Sequence, residues 1–442
     1  MATQDHPGGD APPASNPFTR THAYPCYDEP ATYVVVGDQL RPWEFNGWKP
    51  ESLSWKTSCY IHTGLSGVVA HVDGREADAF MAHLCTNDPS RLKPGVMRHA
   101  VMCDGDGLVA SHGILQRDAD GLYKHFAAPP WTIYQAGRTG HAVRAWFEEQ
   151  YLTQVAGPRS LEALQRASGE DLADIAFLRY RTTRIAGKTV EVGRIGMSGN
   201  LAYEVRGPLA DGAAVFDAIY QANREIGIER LGWRTYLVNH VEGGFPQMMW
   251  TFGSAMMHDP GVRQWLGPDH FGLRTQRTGS FAPEDVRARL RTPFEVNWDT
   301  SVRFDHEFLG RPALEGLAER SRRTVTLRWN SEDVIDIHAS LYRPGEEYRT
   351  MDLPTTPTWA HGMLEHADRV LDASGRVVGV SSGTIYSYWL RQSLSLGCLD
   401  PDYLEPGTEL VVEWGDHGRR IKRVRVTVDR FPLLSEARNS ER

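Results

Sequence analysis

Residues 193–208 read GRIGMSGNLAYEVRGP, and the structure that this stretch forms bears on both the fold and the ligand of the protein. Three glycines surround Ser198 and Asn200, and a Gly-Pro pair ends the segment. Glycine allows tight turns and close backbone approach, and the Tyr203-Glu204-Val205 triplet is typical of a short strand. The stretch predicts either a plain hairpin or a glycine-rich turn and strand that hold a flat polar ligand.

The flanking sequence alternates short strands with single helices. Strand patterns cover 98–127 and 173–196, and helical spacing is found at 75–88, 141–152 and 212–228. Residues 258–285, rich in Gly, Pro and Arg, predict a long loop or linker, and four further strand patterns follow at 324–330, 376–386, 409–416 and 420–431. This predicts an α+β fold with a C-terminal β domain, without the regular βα rhythm of a doubly wound sheet.

Composition restricts the function classes. The chain has 442 residues, a length that favours two or three domains. Its formal charge is −8 and it has no basic stripe, so we do not expect it to bind nucleic acid. Five scattered cysteines predict neither a disulfide scaffold nor a metal site and favour a cytoplasmic protein. No apolar run is long enough for a membrane span, and residues 1–30 predict a flexible leader.

Several motifs with well-known chemistry are missing from the sequence. There is no phosphate-binding P-loop, no dinucleotide-binding glycine motif, no nucleophile elbow and no zinc-protease motif. Phosphate cradling, triad hydrolysis and zinc chemistry are therefore disfavoured.

Three ordered segments resemble one superfamily, that of the glycine-cleavage T-protein (aminomethyltransferase). They are GRIGMSGNLAYEVRGPLADGAAVFDAIYQA at 193–222, VRFDHEFLGRPALE at 302–315 and the segment 375–414. Finer details at 48–61, 231–244 and 384–397 look like the tetrahydrofolate-dependent O-demethylases of aromatic methoxy compounds, of the vanillate and syringate type. The similarity runs from about Trp43 to Pro432.

The resemblance implies a three-domain aminomethyltransferase-like fold around a central folate channel, closed by a C-terminal β barrel. We expect the first α+β domain to comprise 31–150 and 205–300. We expect 151–204 to belong to the second α+β domain, and 301–442 to form the remainder of that second domain and the C-terminal β barrel. The implied cofactor is tetrahydrofolate, with its pterin deep in the channel and its glutamyl tail outside.

Glu242 in NHVEGG matches the family glutamate that binds the pterin ring. A carboxylate can accept two parallel N–H bonds from the 2-amino-pyrimidinone edge; the alternative is a solvated glutamate before a turn. Seven further residues are candidates for binding the cofactor, although each could instead have a purely structural role in a strand, an ion pair or the core. They are Tyr203, Glu204, Arg234, Tyr236, Asn239, Tyr386 and Trp389.

The chain departs from the family at the positions that carry the chemistry. Ala110 and Ser111 replace the acidic pair of the aminomethyltransferase, and a loose alignment puts Phe271 at the tyrosine acid of the demethylases. His62 and His112 are the candidate catalytic acids, because the pKa of imidazole lies near neutrality. Asp104, Asp106 and Arg117 flank the same segment and are secondary candidates.

The sequence thus predicts a folate-dependent methyltransferase, with O-demethylation of a methoxylated small molecule as the leading reaction. Three alternatives remain: a folate-binding protein without catalysis, transfer from 5,10-methylene-tetrahydrofolate to an acceptor, and a different ligand in the channel. The partner is a small-molecule methyl donor or acceptor, and the oligomeric state is left open.

Overall fold

The structure is a computed structural model that describes residues 30–36, 39–63, 68–126, 130–197, 199–354, 358–359 and 362–434. The predicted leader therefore falls almost wholly outside the described residues. Within these ranges no helix is long and apolar enough to cross a membrane.

The helices are mostly short, as the predicted alternation requires. They are α1 (Trp48–Thr57), α2 (Ala77–Leu84), α3 (Pro130–Ala136), α4 (Ser160–Ser168), α5 (Gly212–Ala222), α6 (Trp233–Gly243), α7 (Pro260–Leu266), α8 (Arg311–Leu314) and α9 (Ser331–Ala339).

The strands account for most of the remaining structure. They are β1 (Thr32–Val36), β2 (Gln39–Glu44), β3 (Cys59–Thr63), β4 (Val68–Asp73), β5 (Met97–Cys103), β6 (Val109–Arg117), β7 (Tyr123–Phe126), β8 (Arg144–Ala156), β9 (Tyr180–Ile185), β10 (Lys188–Gly193), β11 (Ala202–Pro208), β12 (Ile228–Arg230), β13 (Thr275–Thr278), β14 (Arg323–Trp329), β15 (Thr358–Trp359), β16 (Gly362–His366), β17 (Asp368–Leu371), β18 (Val377–Ser387), β19 (Gln392–Leu399), β20 (Glu409–Trp414) and β21 (Lys422–Asp429).

A ten-stranded sheet forms the body of the molecule, with β8 at its centre. The main strand order is β5-β6-β7-β4-β8-β11-β10-β9, and β3 joins both β8 and β12. The first half of β8 pairs with β4, while its second half pairs with β11 and β3. One long strand therefore ties together the two parts of the sheet.

Each part of the sheet has its own apolar core. Val155, Val205 and Phe216 belong to one core, which is covered by α4 and α5. Phe80, Trp131 and Val262 belong to the other, which is covered by α2, α3 and α7. Residues 205–228 thus pack in one core with residues 151–204, and the domain boundaries given above stay a prediction.

The C-terminal strands close into a barrel, which confirms the predicted C-terminal β barrel. The strands follow the order β14-β19-β18-β17-β20-β21 and close on themselves. Their alternating apolar side chains, such as Val424, Val426 and Val428, fill the interior, while Arg423 and Arg425 point outward.

Two local predictions are wrong. Residues 141–152 read as an amphipathic helix, yet 144–156 form β8, because pairing with three neighbouring strands outweighs the local helical pattern. Residues 258–285 are not a structureless linker, since they contain α7 and β13. In α7, Asp259 caps the N-terminus by accepting from the Val262 N–H at 2.8 Å.

Helix α6 is buried along almost its entire length and is fixed by a carboxylate from α1. Glu51 is fully buried, and its Oε2 accepts from the Gly232 N–H at 2.8 Å and from the Thr235 hydroxyl at 3.1 Å. Its Oε1 accepts from the N–H groups of Phe45 and Asn46. Burial raises the pKa of Glu51, while these donors lower it. One side chain therefore joins α1, the turn after β2 and the start of α6.

We predict that Glu51→Gln lowers the free energy of unfolding by about 3 kcal/mol, because the amide NH₂ would face buried N–H donors that lose their acceptor. Chemical denaturation measures this change. Glu162→Gln is the matched control, since Glu162 makes solvent-exposed ion pairs with Arg159 and Arg166. Equal effects of the two substitutions would contradict the role given to Glu51.

Candidate functional site

The opening stretch places its strand residues on two faces of the sheet. Tyr203 and Val205 lie in an apolar core, and Glu204 and Arg206 alternate with them to the opposite face. The Glu204 carboxylate pairs with the Arg206 guanidinium, which also lies 3.3 Å from Glu191 Oε1. Among the two candidates from this stretch, Glu204 therefore lies on the polar face and Tyr203 packs in the core.

Cross-strand register brings three polar side chains together on that face. Glu204 on β11 lies opposite Gln154 on β8, and Gln154 lies opposite His62 on β3. Directly opposed residues in antiparallel strands have neighbouring side chains. The Tyr60 hydroxyl, on the same face of β3, donates to Gln154 Oε1 at 2.6 Å.

Helix α6 covers this row. The Tyr236 ring stacks on the His62 ring at a centroid distance of 4.2 Å, and Asn239 Oδ1 lies 3.5 Å from the Tyr60 hydroxyl. Gly244 caps the C-terminus of the helix, and its φ of 68° is in the left-handed region that favours glycine. We call Tyr60, His62, Gln154, Glu204, Tyr236 and Asn239 the central polar cluster; all six are buried.

The hydrogen bonds of two histidines fix which ring nitrogen carries the proton. His62 Nδ1 lies 2.8 Å from the Leu231 carbonyl oxygen, and His240 Nδ1 lies 2.7 Å from that of Tyr236. A carbonyl can only accept, so each Nδ1 bears the proton and each Nε2 is a bare acceptor. Burial lowers the pKa of His62 to about 3 and that of His240 to about 4.

Several polar atoms of this region have no hydrogen-bond partner among the described residues. They are the Nε2 atoms of His62 and His240 and the Nδ2 atom of Asn239, and all are shielded from solvent. Buried polar atoms are normally paired. The cluster and the adjacent His240 together therefore offer two acceptors and one donor to a bound ligand.

A second group of rings continues from this cluster. The Tyr236 and His240 rings are 4.2 Å apart, and His240 leads to Phe245 at 5.9 Å. Phe245 packs against Trp298, which contacts His112 at 4.7 Å and His99 at 4.9 Å. We call His99, His112, His240, Phe245 and Trp298 the histidine chamber.

The chamber histidines are uncharged at neutral pH. Burial lowers the pKa of His99 to about 4 and that of His112 well below its ordinary value. The pKa near neutrality that the sequence suggested for His62 and His112 is therefore wrong, because neither ring is hydrated. Within the described residues, no three His, Cys, Asp or Glu side chains are arranged to hold a metal ion.

Glu242 follows Asn239 on α6 and makes a buried ion pair. It is 1% exposed, Ser387 Oγ donates to its Oε1 at 2.5 Å, and Lys56 Nζ lies 3.4 Å from its Oε2. The solvated alternative for Glu242 is therefore wrong. Its contacts join α6 to α1 and to the barrel strand β18.

Arg234 makes a structural set of contacts. Its Nε and Nη2 donate to the Leu353 carbonyl oxygen at 3.1 and 3.0 Å, and its Nη1 pairs with Glu44. The guanidinium also lies 3.8 Å from the centroid of the Trp48 ring. These contacts account for Arg234 without a ligand.

Tyr386 and Trp389 belong to an outer surface beside Trp48. Tyr386 is half-buried, with its ring 6.2 Å from Trp48, while Trp389 is 53% exposed, with Lys56 Nζ 5.9 Å from its ring. The contacts of both rings in the described chain are with this outer group, so the structure does not join them to the central polar cluster.

The secondary candidates have local roles. Asp104 Oδ1 accepts from the N–H groups of Asp106 and Leu108 in a tight turn. Arg117 pairs with Asp78 at 3.1 Å. The Phe271 side chain lies outside the described residues, and its backbone begins a short 3₁₀ helix.

Sequence reasoning missed six residues of the two groups. Tyr60 and His240 carried a signal, since Tyr60 alternates with His62 and His240 precedes Glu242 by two positions. Gln154, His99, Phe245 and Trp298 carried none, because they come from separate elements that only the fold brings together.

We predict that the protein loses stability as the pH falls from 6.5 to 5. His62, His99, His125 and His240 have folded pKa values of about 3 to 4, against an ordinary 6.5. In this window the unfolded chain binds more protons than the folded chain. The free energy of unfolding therefore decreases as the pH decreases, by about 1.4 kcal/mol per pH unit for each histidine that is protonated only in the unfolded chain.

The melting temperature measured from pH 8 to pH 5 tests this. His125→Gln should flatten the dependence, whereas His338→Gln, at an exposed position, should leave it unchanged. A melting temperature that stays constant down to pH 5 would show that these histidines are hydrated in the folded state.

Comparison with known proteins places the chain in a family. Residues 26–252 match the model of the GCVT N-terminal domain, and the chain belongs to that family. It is 35% identical over 422 residues to sesamin methylene transferase of Sinomonas sp. (strain No.22), with 90% of this chain and 91% of the relative covered.

Two further comparisons agree. The chain is 30% identical to syringate O-demethylase of Sphingobium sp. (strain NBRC 103272 / SYK-6), covering 85% of this chain and 84% of that one. The aminomethyltransferase T structure from Bartonella henselae superposes with a TM-score of 0.65 at 16% identity, covering 92% of this chain and 95% of that structure. The last likeness shows the fold, which confirms the expected aminomethyltransferase-like architecture.

Proposed function

We propose that this protein is a tetrahydrofolate-dependent transferase that removes a one-carbon unit from an ether oxygen of a small aromatic molecule. The two relatives just described are named for methylene transfer and for O-demethylation, and both match most of the chain. Membership of the GCVT family supports tetrahydrofolate as the cofactor.

The unpartnered atoms of the central polar cluster are the observation that carries this proposal. A tetrahydropterin has a flat pyrimidinone ring and presents several N–H donors along with a carbonyl acceptor. The cluster and the adjacent His240 supply matching groups: the bare Nε2 atoms of His62 and His240, the Asn239 Nδ2 donor, and the Glu204 carboxylate, which is paired with Arg206. The residues present therefore fit the group.

We assign the pyrimidinone edge to Glu204 in preference to Glu242. Ser387 contacts one oxygen of Glu242 and Lys56 the other, whereas Arg206 pairs with Glu204 through Oε2. Glu204 lies in register with Gln154, beside the row that ends at His62. A carboxylate that accepts two N–H bonds there would fix the orientation of the ring.

Bound tetrahydrofolate would supply the amine that receives the one-carbon unit. With a methoxy donor one C–O bond breaks, one C–N bond forms, and one proton passes from the amine to the ether oxygen. With a methylenedioxy donor two C–O bonds break, two C–N bonds form, and two protons pass from the two amines to the two oxygens of the resulting catechol. Neither reaction needs an oxidant. The chain has to orient the reactants, exclude water and move each proton.

The neutral histidines suit the proton transfer as acceptors. His62 and His240 present unprotonated Nε2 atoms, so either can take the proton from an N–H group. Because burial destabilises the imidazolium, the ring gives the proton up readily to the leaving aryl oxygen. His62 then acts first as a general base and afterwards as a general acid. His112 lines the binding site of the aromatic substrate.

We predict that Glu204→Gln weakens tetrahydrofolate binding by about tenfold or more, since a buried carboxylate contact is lost. Arg206 keeps its pairing with Glu191, so this variant should fold. Glu242→Gln should change the affinity less than about threefold. Calorimetric titration under oxygen-free conditions measures both, and the reverse order of effects would give the pterin contact to Glu242.

We predict that a panel of methoxy- and methylenedioxyarenes contains a donor for the enzyme. Mass spectrometry should detect the phenol or the catechol formed from the donor and an equal molar amount of 5-methyl- or 5,10-methylene-tetrahydrofolate, respectively. His62→Gln should reduce turnover far more than folate affinity. Folate binding without any product across the panel would leave a folate-binding protein that has no transferase activity.

A further inference from the structure

We infer that a small cavity beside Arg289 and Arg291 binds a single-atom anion, chloride. The cavity is lined by residues 249–253, by the two arginines and by residues 365–367. It includes none of the residues to which the folate ring is assigned above, so this inference does not depend on the proposed function.

The size of the cavity restricts its occupant. It has room for about one particle the size of a water molecule. A chloride ion is only slightly larger than water, whereas phosphate, sulfate and organic carboxylates carry several heavy atoms. The charges around the cavity then decide between water and a single-atom ion.

The two arginines are buried cations. Arg289 is 2% exposed and Arg291 is 4% exposed. Within the described residues neither guanidinium forms an ion pair with Asp or Glu, whereas the equally buried Arg206 pairs with Glu204 and Glu191. Because a buried charge is costly unless it is paired and hydrogen-bonded, the two guanidinium groups favour an anion in the space beside them.

Arg291 has free donors with which to hold that anion. Its Nη1 donates to the carbonyl oxygens of Ala288 and Leu290 at 2.9 and 2.8 Å. Its Nε and Nη2 make no hydrogen bond within the described residues, and these two atoms form one edge of the planar guanidinium. Arg289 uses both Nη atoms on backbone carbonyls, and its Nε is shielded from solvent without a partner in the described chain. Arg291 is therefore the principal ligand.

The carboxylates around the cavity are held by other side chains. Glu365 lines the cavity, and its Oε2 lies 3.4 Å from Arg277 Nε. Asp368 Oδ2 lies 2.7 Å from His366 Nε2. Three guanidinium groups, those of Arg277, Arg289 and Arg291, thus surround the single carboxylate of the cavity wall, and the excess of positive charge favours an anion over water.

An anion at this position would join three segments of the fold. The Arg291 carbonyl oxygen accepts from the Val109 N–H, at the start of β6, at 2.8 Å, and the Arg289 carbonyl oxygen accepts from the Gly253 N–H at 2.7 Å. Residues 365–367 connect β16 to the barrel strand β17. Since the site exists only when these segments are assembled, anion binding should stabilise the folded chain.

The first test measures the melting temperature in sodium chloride and in sodium gluconate at equal sodium concentrations, since gluconate is too large for the cavity. We expect chloride to raise the melting temperature by about 2 °C or more relative to gluconate, because a ligand that binds only the folded chain stabilises it. The increase should saturate with chloride concentration, as binding to a single site requires.

Three variants locate the effect. Arg291→Met removes the free guanidinium edge and should abolish the difference between chloride and gluconate. Arg291→Lys keeps the charge without the planar fork and should reduce the difference. Arg320→Met, at an exposed position, should leave it unchanged.

Crystals of the unmodified protein grown in sodium bromide give a second test that does not depend on how the variants fold. Bromide resembles chloride in size and is identified by its anomalous scattering. We expect an anomalous peak in the cavity, within hydrogen-bonding reach of Arg291 Nε and Nη2.

A cavity that holds only water in these crystals would overturn the inference. So would a melting temperature without a saturable dependence on chloride, or a chloride effect that persists in Arg291→Met. None of these results would affect the proposed transferase function, which is tested by folate binding and turnover.

Discussion

The carboxylate of Glu51 is the contact on which the site depends most. It lies on α1, and it accepts hydrogen bonds from the turn after β2 and from the start of α6. A helix as fully buried as α6 has N-terminal N–H groups that water cannot reach. Glu51 satisfies that requirement and at the same time sets the position of the helix. Tyr236, Asn239 and His240 are then held over the row of side chains from β3, β8 and β11.

Burial decides the chemistry of that row. The histidines are neutral because their surroundings exclude water, and backbone carbonyls fix the proton on Nδ1 of His62 and His240. The nearby carboxylates are paired, Glu204 with Arg206 and Glu242 with Lys56. The centre is thus rich in acceptors next to a chamber of uncharged rings. Such an arrangement favours a cofactor that is rich in N–H donors.

Much of the fold could be predicted from the sequence, because the barrel strands and α5 carry clear periodicity. The β8 segment could not, since its helical pattern is local and its three pairing partners are distant in sequence. Glu204 and His62 could be named in advance, yet their closeness depends on cross-strand register. Arg234 matched a motif and nevertheless serves a structural contact with Leu353. Trp298 and His99 could not be found, because no spacing links them before the chain folds.

A crystal structure of the protein with tetrahydrofolate tests the central claim most directly. The account predicts the pterin ring against the central polar cluster, with the Glu204 carboxylate at its pyrimidinone edge and His62 or His240 Nε2 facing a ring N–H. The one-carbon position should then point toward Trp298 and His112. A pterin ring bound instead at the outer surface beside Trp48 and Tyr386, with the central polar cluster unchanged, would contradict it.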